Sequence, residues 1–416
     1  MGGSVKSSRS LLRLLALLMA LALVAAACGG DDGGDDEGAD AGDDAPDASE
    51  VEGEPADTND PFKLYVVGPQ TGPNAEIGNA VIGGVKAYFA AHGEEVAGRP
   101  VEFEVLDDAS TADGAQAQFR RIVSDDESTL VVGHNNGIAL SAAVPIIQQA
   151  NIPYITTTFI DALFDPEPQP WFFSIRGGSA DEGAALVAHV ENKLGDLDGK
   201  RIAVVQLNNG ATPEITANAI KELGEEKGYE THIEMADVQL ANYDSGAANI
   251  AAFGPDAVII VTTPAVTPVI AKAIINAGVE GPLVGYSAAS STDILEAIGT
   301  SQYSADAMVP NATDEVRAAA EEAGEAQYIE STFFSQGWVV ASIAARAIAA
   351  CGADCDRETM IETLESLEPF EPEGGLSYGA IDIRDHTAVT DVQFLTYDEE
   401  SGEVVDDGDT VTAYGD

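Results

Sequence analysis

The chain has 416 residues, of which 71 are Asp or Glu and 19 are Lys or Arg, giving a net charge of −52 at pH 7; 45% are apolar. A surface this negative repels phosphate backbones and anionic lipid, which excludes nucleic acid as a partner. The apolar fraction is that of an ordinary globular chain and excludes wholesale disorder, and the length predicts two domains.

The first 27 residues hold three bases (Lys6, Arg9, Arg13) and no acid, and end in an apolar stretch from Leu14 to Ala27. Spanning a bilayer takes about 20 helical residues, so this stretch is too short. A basic start, a short apolar run and small residues at its end predict a secretory signal peptide over 1–27. Val24-Ala25-Ala26-Ala27-Cys28 resembles a bacterial lipobox, which implies that Cys28 becomes the lipidated first residue of the mature chain. An ordinary cleavage site followed by an incidental cysteine is the alternative. Residues 29–60 carry 14 acids and no base. They cannot bury enough apolar surface to offset their ordering entropy, so 28–60 reads as a lipidated cysteine and a disordered acidic tether. The run lacks the register of a calcium loop.

From Pro61 onward, short runs rich in Val and Ile alternate with longer amphipathic stretches. Strands are predicted at 63–67, 101–106, 130–132, 154–155, 201–207, 231–234, 257–261 and 283–284. Helices are predicted at 79–92, 114–123, 139–150, 181–194, 213–227 and 265–277. Such alternation indicates an α/β fold of parallel sheets covered by helices on both faces. The set is too large for one sheet and repeats after about residue 177, so two doubly wound lobes are expected.

Ligands of open parallel sheets bind beyond the carboxyl ends of the strands. Six segments there are small, polar and neutral: 68–76, 133–137, 156–158, 208–212, 262–264 and 285–287. Singly, each reads as a set of helix caps. Together they read as a hydrogen-bonding cleft for a small polar ligand.

The order of these motifs resembles a known family. Gly68-Pro-Gln-Thr-Gly72 with Ala75 and Gly78, Asp107-Asp108, Val131-Val-Gly133, Pro145-Ile146 and Ile152-Pro153 resemble the type 1 periplasmic-binding fold, and more narrowly the leucine/isoleucine/valine-binding proteins of ABC importers. The resemblance continues through Lys200–Val204, Gly254–Val258, Leu283–Gly285, Phe334…Gly337-Trp338 and Val392–Leu395. It implies two lobes joined by three crossings, closing on the ligand by a hinge. Lobe 1 would comprise 61–176 plus 309–383, and lobe 2 177–308 plus 384–416. Together, the cleft loops and the resemblance point to Gln70, Thr71, His134, Asn135, Asn136, Gly137, Thr156, Thr157 and Thr158 on lobe 1. On lobe 2 they point to Asn209, Ala211, Thr212, Thr263, Tyr286 and Ser287. Asn136 and the Gly137 N–H would hold a ligand carboxylate. Where amino-acid binders carry an acid for the ligand's ammonium, this chain has Tyr286-Ser287. That places an amide or small carboxylate beside an amino acid as candidate ligands. Glu76 is expected to face solvent.

With Cys28 lipidated, Cys351 and Cys355 remain, and in an exported protein two cysteines four apart suit a local disulfide. The five histidines are scattered, and no hydrolase, metal or phosphate-loop motif occurs, so no catalytic residue, metal or cofactor is expected. Two functions fit. One is a monomeric, lipid-anchored extracytoplasmic receptor that passes its ligand to an ABC permease; the other is a sensor reporting a metabolite to a membrane partner. Residues 61–416 keep 57 acids against 16 bases. Because the expected cleft loops are nearly neutral, that charge is assigned to the outer surfaces.

Overall fold

The computed structural model describes residues 61–125, 129–164, 167–208, 211–237, 240–388, 391–408 and 410–412. The leader, Cys28, the acidic segment and Asn209 lie outside them, as does the side chain of Ala211.

Two sheets organise the chain. The first contains β1 (Phe62–Gly68), β2 (Glu95–Val96), β3 (Arg99–Asp107), β4 (Leu130–Gly133), β5 (Tyr154–Thr156) and β6 (Phe172–Ser174). Their order is β2-β3-β1-β4-β5-β6, parallel except for β2. Between these strands run α1 (Ala75–Ala91), α2 (Ala112–Val123) and α3 (Gly137–Ala150), with α2 against α3. Leu64, Val66, Val131, Val132 and Ile155 are fully buried between the helical layers, the double coverage that the unbroken apolar strands require.

The second sheet contains β7 (Arg201–Leu207), β8 (Glu230–Ala236), β9 (Ala257–Val261), β10 (Leu283–Gly285), β11 (Tyr303–Ala307), β12 (Asp391–Asp398) and β13 (Glu403–Asp406), in the order β13-β12-β11-β10-β9-β7-β8. The strands from β7 to β11 are parallel, and β12 and β13 close the edge antiparallel, with β14 (Val411–Thr412) paired to β12. α4 (Ser179–Leu194) packs on α5 (Ala211–Lys227), and α6 (Asp244–Phe253) on α7 (Thr267–Asn276), which meets α8 (Thr292–Ile298). α9 (Asp314–Glu322), α10 (Thr332–Cys351) and α11 (Arg357–Ser366) return to the first sheet, where α1 contacts α9 and α10. α10 is long and apolar enough to cross a membrane, but nearly all of it is core.

α1 and α10 touch backbone to backbone. A Cβ on Gly84 would lie 2.1 Å from Phe334 O, and one on Gly337 would lie 2.2 Å from Val81 O. Cys351 and Cys355, at the end of α10 and in the turn before α11, are placed as a disulfide with Cα atoms 5.3 Å apart.

The chain crosses between the sheets after β6, after β11 and again before β12. The first and third crossings run side by side: Ser174 N–H donates to His386 O at 2.9 Å, and Ala388 N–H to Ser174 O at 3.0 Å.

Several elements differ from the sequence expectation. α2 and α3 begin two residues earlier than periodicity suggested, because Thr111 and Asn136 cap them by accepting the N–H groups of Gly114 and Ala139. β6 and β11 were not anticipated. β11, Tyr-Ser-Ala-Asp-Ala, has no β-branched residue, yet all five residues are buried in the sheet.

Candidate functional site

Each sheet has a point where the chain's winding reverses. In the first sheet this lies between β1 and β4, where Val67 pairs with Gly133. In the second it lies between β7 and β9, where Gln206 pairs with Val261. Strand-end loops part at such points and leave a crevice. Gly133 is what lets β1 and β4 close up there: its φ is +138°, and a Cβ would lie 2.0 Å from Val67 O.

The first sheet's loops form a polar network bonded to itself, in which two acids are met by nearby donors. Thr71 donates to Asp107 through its hydroxyl at 2.7 Å, beside the N–H of Gln70 at 2.8 Å. Burial alone would raise the Asp107 carboxyl, but these donors hold it below its ordinary value. Gln70 and Thr71 are exposed. Asn135 is fully buried; its amide donates to Asp108 and accepts from the Tyr154 hydroxyl at 2.6 Å. Asp108 is equally buried, and that burial pushes its carboxyl upward against the donors Asn135 and Ser110. The His134 Nδ1 lies 2.8 Å from the Thr157 hydroxyl and 3.1 Å from that of Thr158, which donates to Asn135 O at 2.5 Å. Burial, with Arg176's positive charge, holds His134 at about 3, so the ring is neutral at physiological pH. Phe333, from α10, meets it edge to face. Thr156 accepts the Thr158 N–H at 3.1 Å.

Asn136 caps α3: its oxygen accepts the Ala139 N–H at 2.9 Å, and its nitrogen donates one N–H to Ser110 O at 3.1 Å, leaving the second amide N–H to face a ligand. Gly137 is exposed at the first turn of α3, and a Cβ there would meet no atom within 4 Å.

The second sheet's loops carry charge. Glu182, on the first turn of α4 and 1% exposed, accepts the Ser287 N–H at 3.1 Å and its hydroxyl at 2.5 Å, and takes the Arg176 guanidinium at 2.7 Å. The acid that sequence found missing beside Tyr286-Ser287 is thus supplied from 105 residues earlier, already neutralised by Arg176. Tyr286 is buried, and burial pushes its phenol up to about 12, with Arg176 opposing and Glu182 assisting. Ser291 accepts the Thr332 N–H at 3.2 Å, tying this loop to α10 on the first sheet. Asp161 ties the sheets from the other side, receiving Ser179 N–H at 2.9 Å and its hydroxyl at 2.8 Å. Thr262 is bonded to Thr267 at 2.7 Å, Thr263 is half-buried, and Thr212 O accepts the Thr216 hydroxyl at 3.1 Å. Glu76 is exposed, as expected.

The structure therefore gathers His134, Asn135, Asn136, Thr157 and Thr158 into one wall, and Tyr286 with Ser287 into another. Arg176, Glu182, Ser291, Phe333 and Asp306 were missed. Sequence shows Arg176 only as a residue between the predicted strand at 154–155 and the helix at 181–194, and Glu182 only as a first-turn helix acid.

The profile of the periplasmic binding protein family matches residues 61–403. The chain belongs to that family. Its fold is the type 1 periplasmic-binding fold, as solved structures also show. A leucine-binding protein LivK from Thermotoga maritima has 18% identity and a TM-score of 0.70, over 84% of this chain and 99% of that one. A fatty acid ABC transporter substrate-binding protein from Thermomonospora curvata has 19% identity and a TM-score of 0.70, over 87% and 95%. An ABC transporter solute-binding protein from Rhodopseudomonas palustris, in complex with 3,4-dihydroxybenzoic acid, has 18% identity and a TM-score of 0.71, over 86% and 99%. Comparison with curated proteins returns no match. The family is one of binding proteins rather than enzymes.

Proposed function

We propose that this protein is the extracytoplasmic solute-binding component of an ABC importer, lipid-anchored through Cys28, stapled by a Cys351–Cys355 disulfide and acting as a monomer. Its lobes are 61–176 with 309–383 and 177–308 with 384–416. They shut on a small organic carboxylate or amide without an ammonium group, and the closed form is favoured by ligand contacts to both walls. His134, the Gly137 N–H, Thr156, Thr157 and Thr158 face the ligand from the first wall; Thr212, Thr263, Tyr286 and Ser287 face it from the second.

The observation that carries the ligand class is the state of Glu182. Its carboxylate is spent on Arg176 and both donors of Ser287. With His134 also neutral, a zwitterion would bring its ammonium to a loop, Tyr286-Ser287, whose neighbouring acid Glu182 is already bonded to Arg176 and Ser287. The named ligands of the solved relatives, a dihydroxybenzoate and leucine among them, leave both classes open to test.

The test is a thermal-shift panel of aliphatic and aromatic carboxylates, their amides, and amino acids. A ligand at 100 times its Kd stabilises by about 2.7 kcal/mol, which a melting curve resolves. Carboxylates or amides are expected to raise Tm. A shift produced by leucine, isoleucine and valine alone would overturn the ligand class while leaving the binding role intact. Replacing Cys28 with Ala is expected to move the protein from the membrane fraction to the soluble exterior.

A further inference from the structure

The third residue of this charged group is Asp306, which makes no salt bridge among the described residues. It lies on β11, fully buried, and neither carboxylate oxygen has a hydrogen-bond partner among the described residues. The alternation of the strand fixes which way it faces. Ala305 and Ala307 belong to the core on one side of the sheet, with Ile270 and Leu295. Ser304, on the other side, meets His189 of α4 at 3.1 Å. Asp306 shares Ser304's side and so lies under α4, where Glu182 stands two helical turns before His189 on the same stripe.

The groups around it are few. Glu182 from α4 and Arg176 from the first crossing act on it with opposite sign, and it acts in turn on Tyr378, in the segment leading to the third crossing. Tyr286, beyond β10, interacts with the same Arg176 and Glu182. Its partner on β12 is Phe394, which is uncharged and stacks on His189; that ring's other contact, Asp407, is paired with Lys193. Arg176 is the cation set against the two acids Glu182 and Asp306, and it is already bonded to Glu182.

A core position needs no carboxylate, and an ionised carboxylate buried without donors is among the costliest groups a fold can hold. Asp306 also stands at the end of β11, where the second crossing begins, within electrostatic reach of Arg176 and Tyr378 from the other two crossings. We propose that Asp306 is a positioning residue of the hinge: it carries a proton when the three crossings pack around it, and opening the molecule lets water reach it and the proton leave. Closure then takes up one proton, so the closed form weakens as pH rises, by at most tenfold per pH unit for a single proton. Burial raises this carboxyl well above its ordinary value, with Glu182 reinforcing and Arg176 opposing, in the direction this requires.

The test needs no ligand, so its outcome is independent of the proposed transport role. Carboxyl-labelled aspartate in the wild-type protein is followed by carbon NMR from about pH 5 to 8. One aspartate is expected to stay protonated through the lower part of that range and to be missing from Asp306→Asn. Small-angle scattering of the same samples should show wild type expanding as pH rises and Asp306→Asn keeping one radius throughout. Asp306→Val replaces Asn should the amide variant fail to fold. If every aspartate titrates near the ordinary value of about 3.9, the proposal is wrong. It is equally wrong if Asp306 titrates high but wild type and variant show the same radius at every pH, since the proton is then structural and does not move the hinge.

Discussion

The two walls use polar groups in opposite ways. On the first sheet, Asp108, Asn135, Tyr154, His134, Thr157 and Thr158 bond one another, and the single acid among them is met by donors on neighbouring turns. On the second, a partly buried guanidinium and two buried acids lie together, one acid is left without partners, and the residues come from positions 176, 182, 287 and 306. A network whose acid is met by donors from its own sheet keeps its partners whichever way the molecule is arranged. A charged cluster assembled from the first crossing, α4 and the end of β11 is stable only while those segments stay packed. The first wall is therefore a fixed surface, and the second holds the conformational sensitivity.

The largest expected effect follows from breaking the charged side. Glu182→Gln removes the carboxylate bonded to the partly buried Arg176 guanidinium and the acceptor of both Ser287 donors, which is expected to cost about 3–5 kcal/mol in a denaturant titration. A change below about 1 kcal/mol would mean Arg176 finds water, and the second wall is not the buried cluster described. On the first wall, Asn135→Leu strands Asp108 and Tyr154 together and is expected to cost about 1–3 kcal/mol. Because the substitution removes a donor to a carboxyl already raised by burial, the loss should grow as pH rises above the raised folded value of the wild type.

Asp407 sharpens the contrast at acid pH. Burial pushes its carboxyl up, but His189 and Lys193 more than offset this and hold it at about 2. A depressed folded value gives stability that is present above the ordinary 3.8 and lost as pH falls through about 2. Asp407→Asn is expected to lower Tm at neutral pH by the equivalent of about 1 kcal/mol, since Lys193 is partly exposed. Below the folded value, variant and wild type should converge. The smallest effect belongs to the cap. Asn136→Ser should change stability by only a few tenths of a kcal/mol, and Asn136→Ala should lose about 1 kcal/mol. If Asn136→Ser instead abolished ligand-induced stabilisation, the amide would be a ligand contact.

What sequence made legible follows the same division. The β–α alternation, the two sheets, the family and the first wall's loops are local, each written in one run of residues such as Gly133–Gly137. Helix starts were misplaced by two residues because cap residues look like loop until their bonds are seen. The second wall was read as neutral because its loop, Tyr286-Ser287, is neutral. Its charge comes from Glu182, an acid that looks like any first-turn helix residue until the fold lays α4 against the loop after β10. Asp306 was hidden in a strand of small residues with no β signature. The excess charge of the chain was assigned entirely to outer surfaces, and Asp108, Glu182 and Asp306 are the exceptions among the described residues.

The central claim is that ligand is held between the two walls, and one titration tests it most directly. The compound giving the largest shift in the panel is titrated calorimetrically into wild type, Gly137→Leu and Thr263→Leu, each of which adds bulk to one wall. Both variants are expected to keep the Tm of the free protein and each to lose at least about tenfold in affinity, or 1.4 kcal/mol. Wild-type affinity in both variants would place the ligand elsewhere and contradict the account.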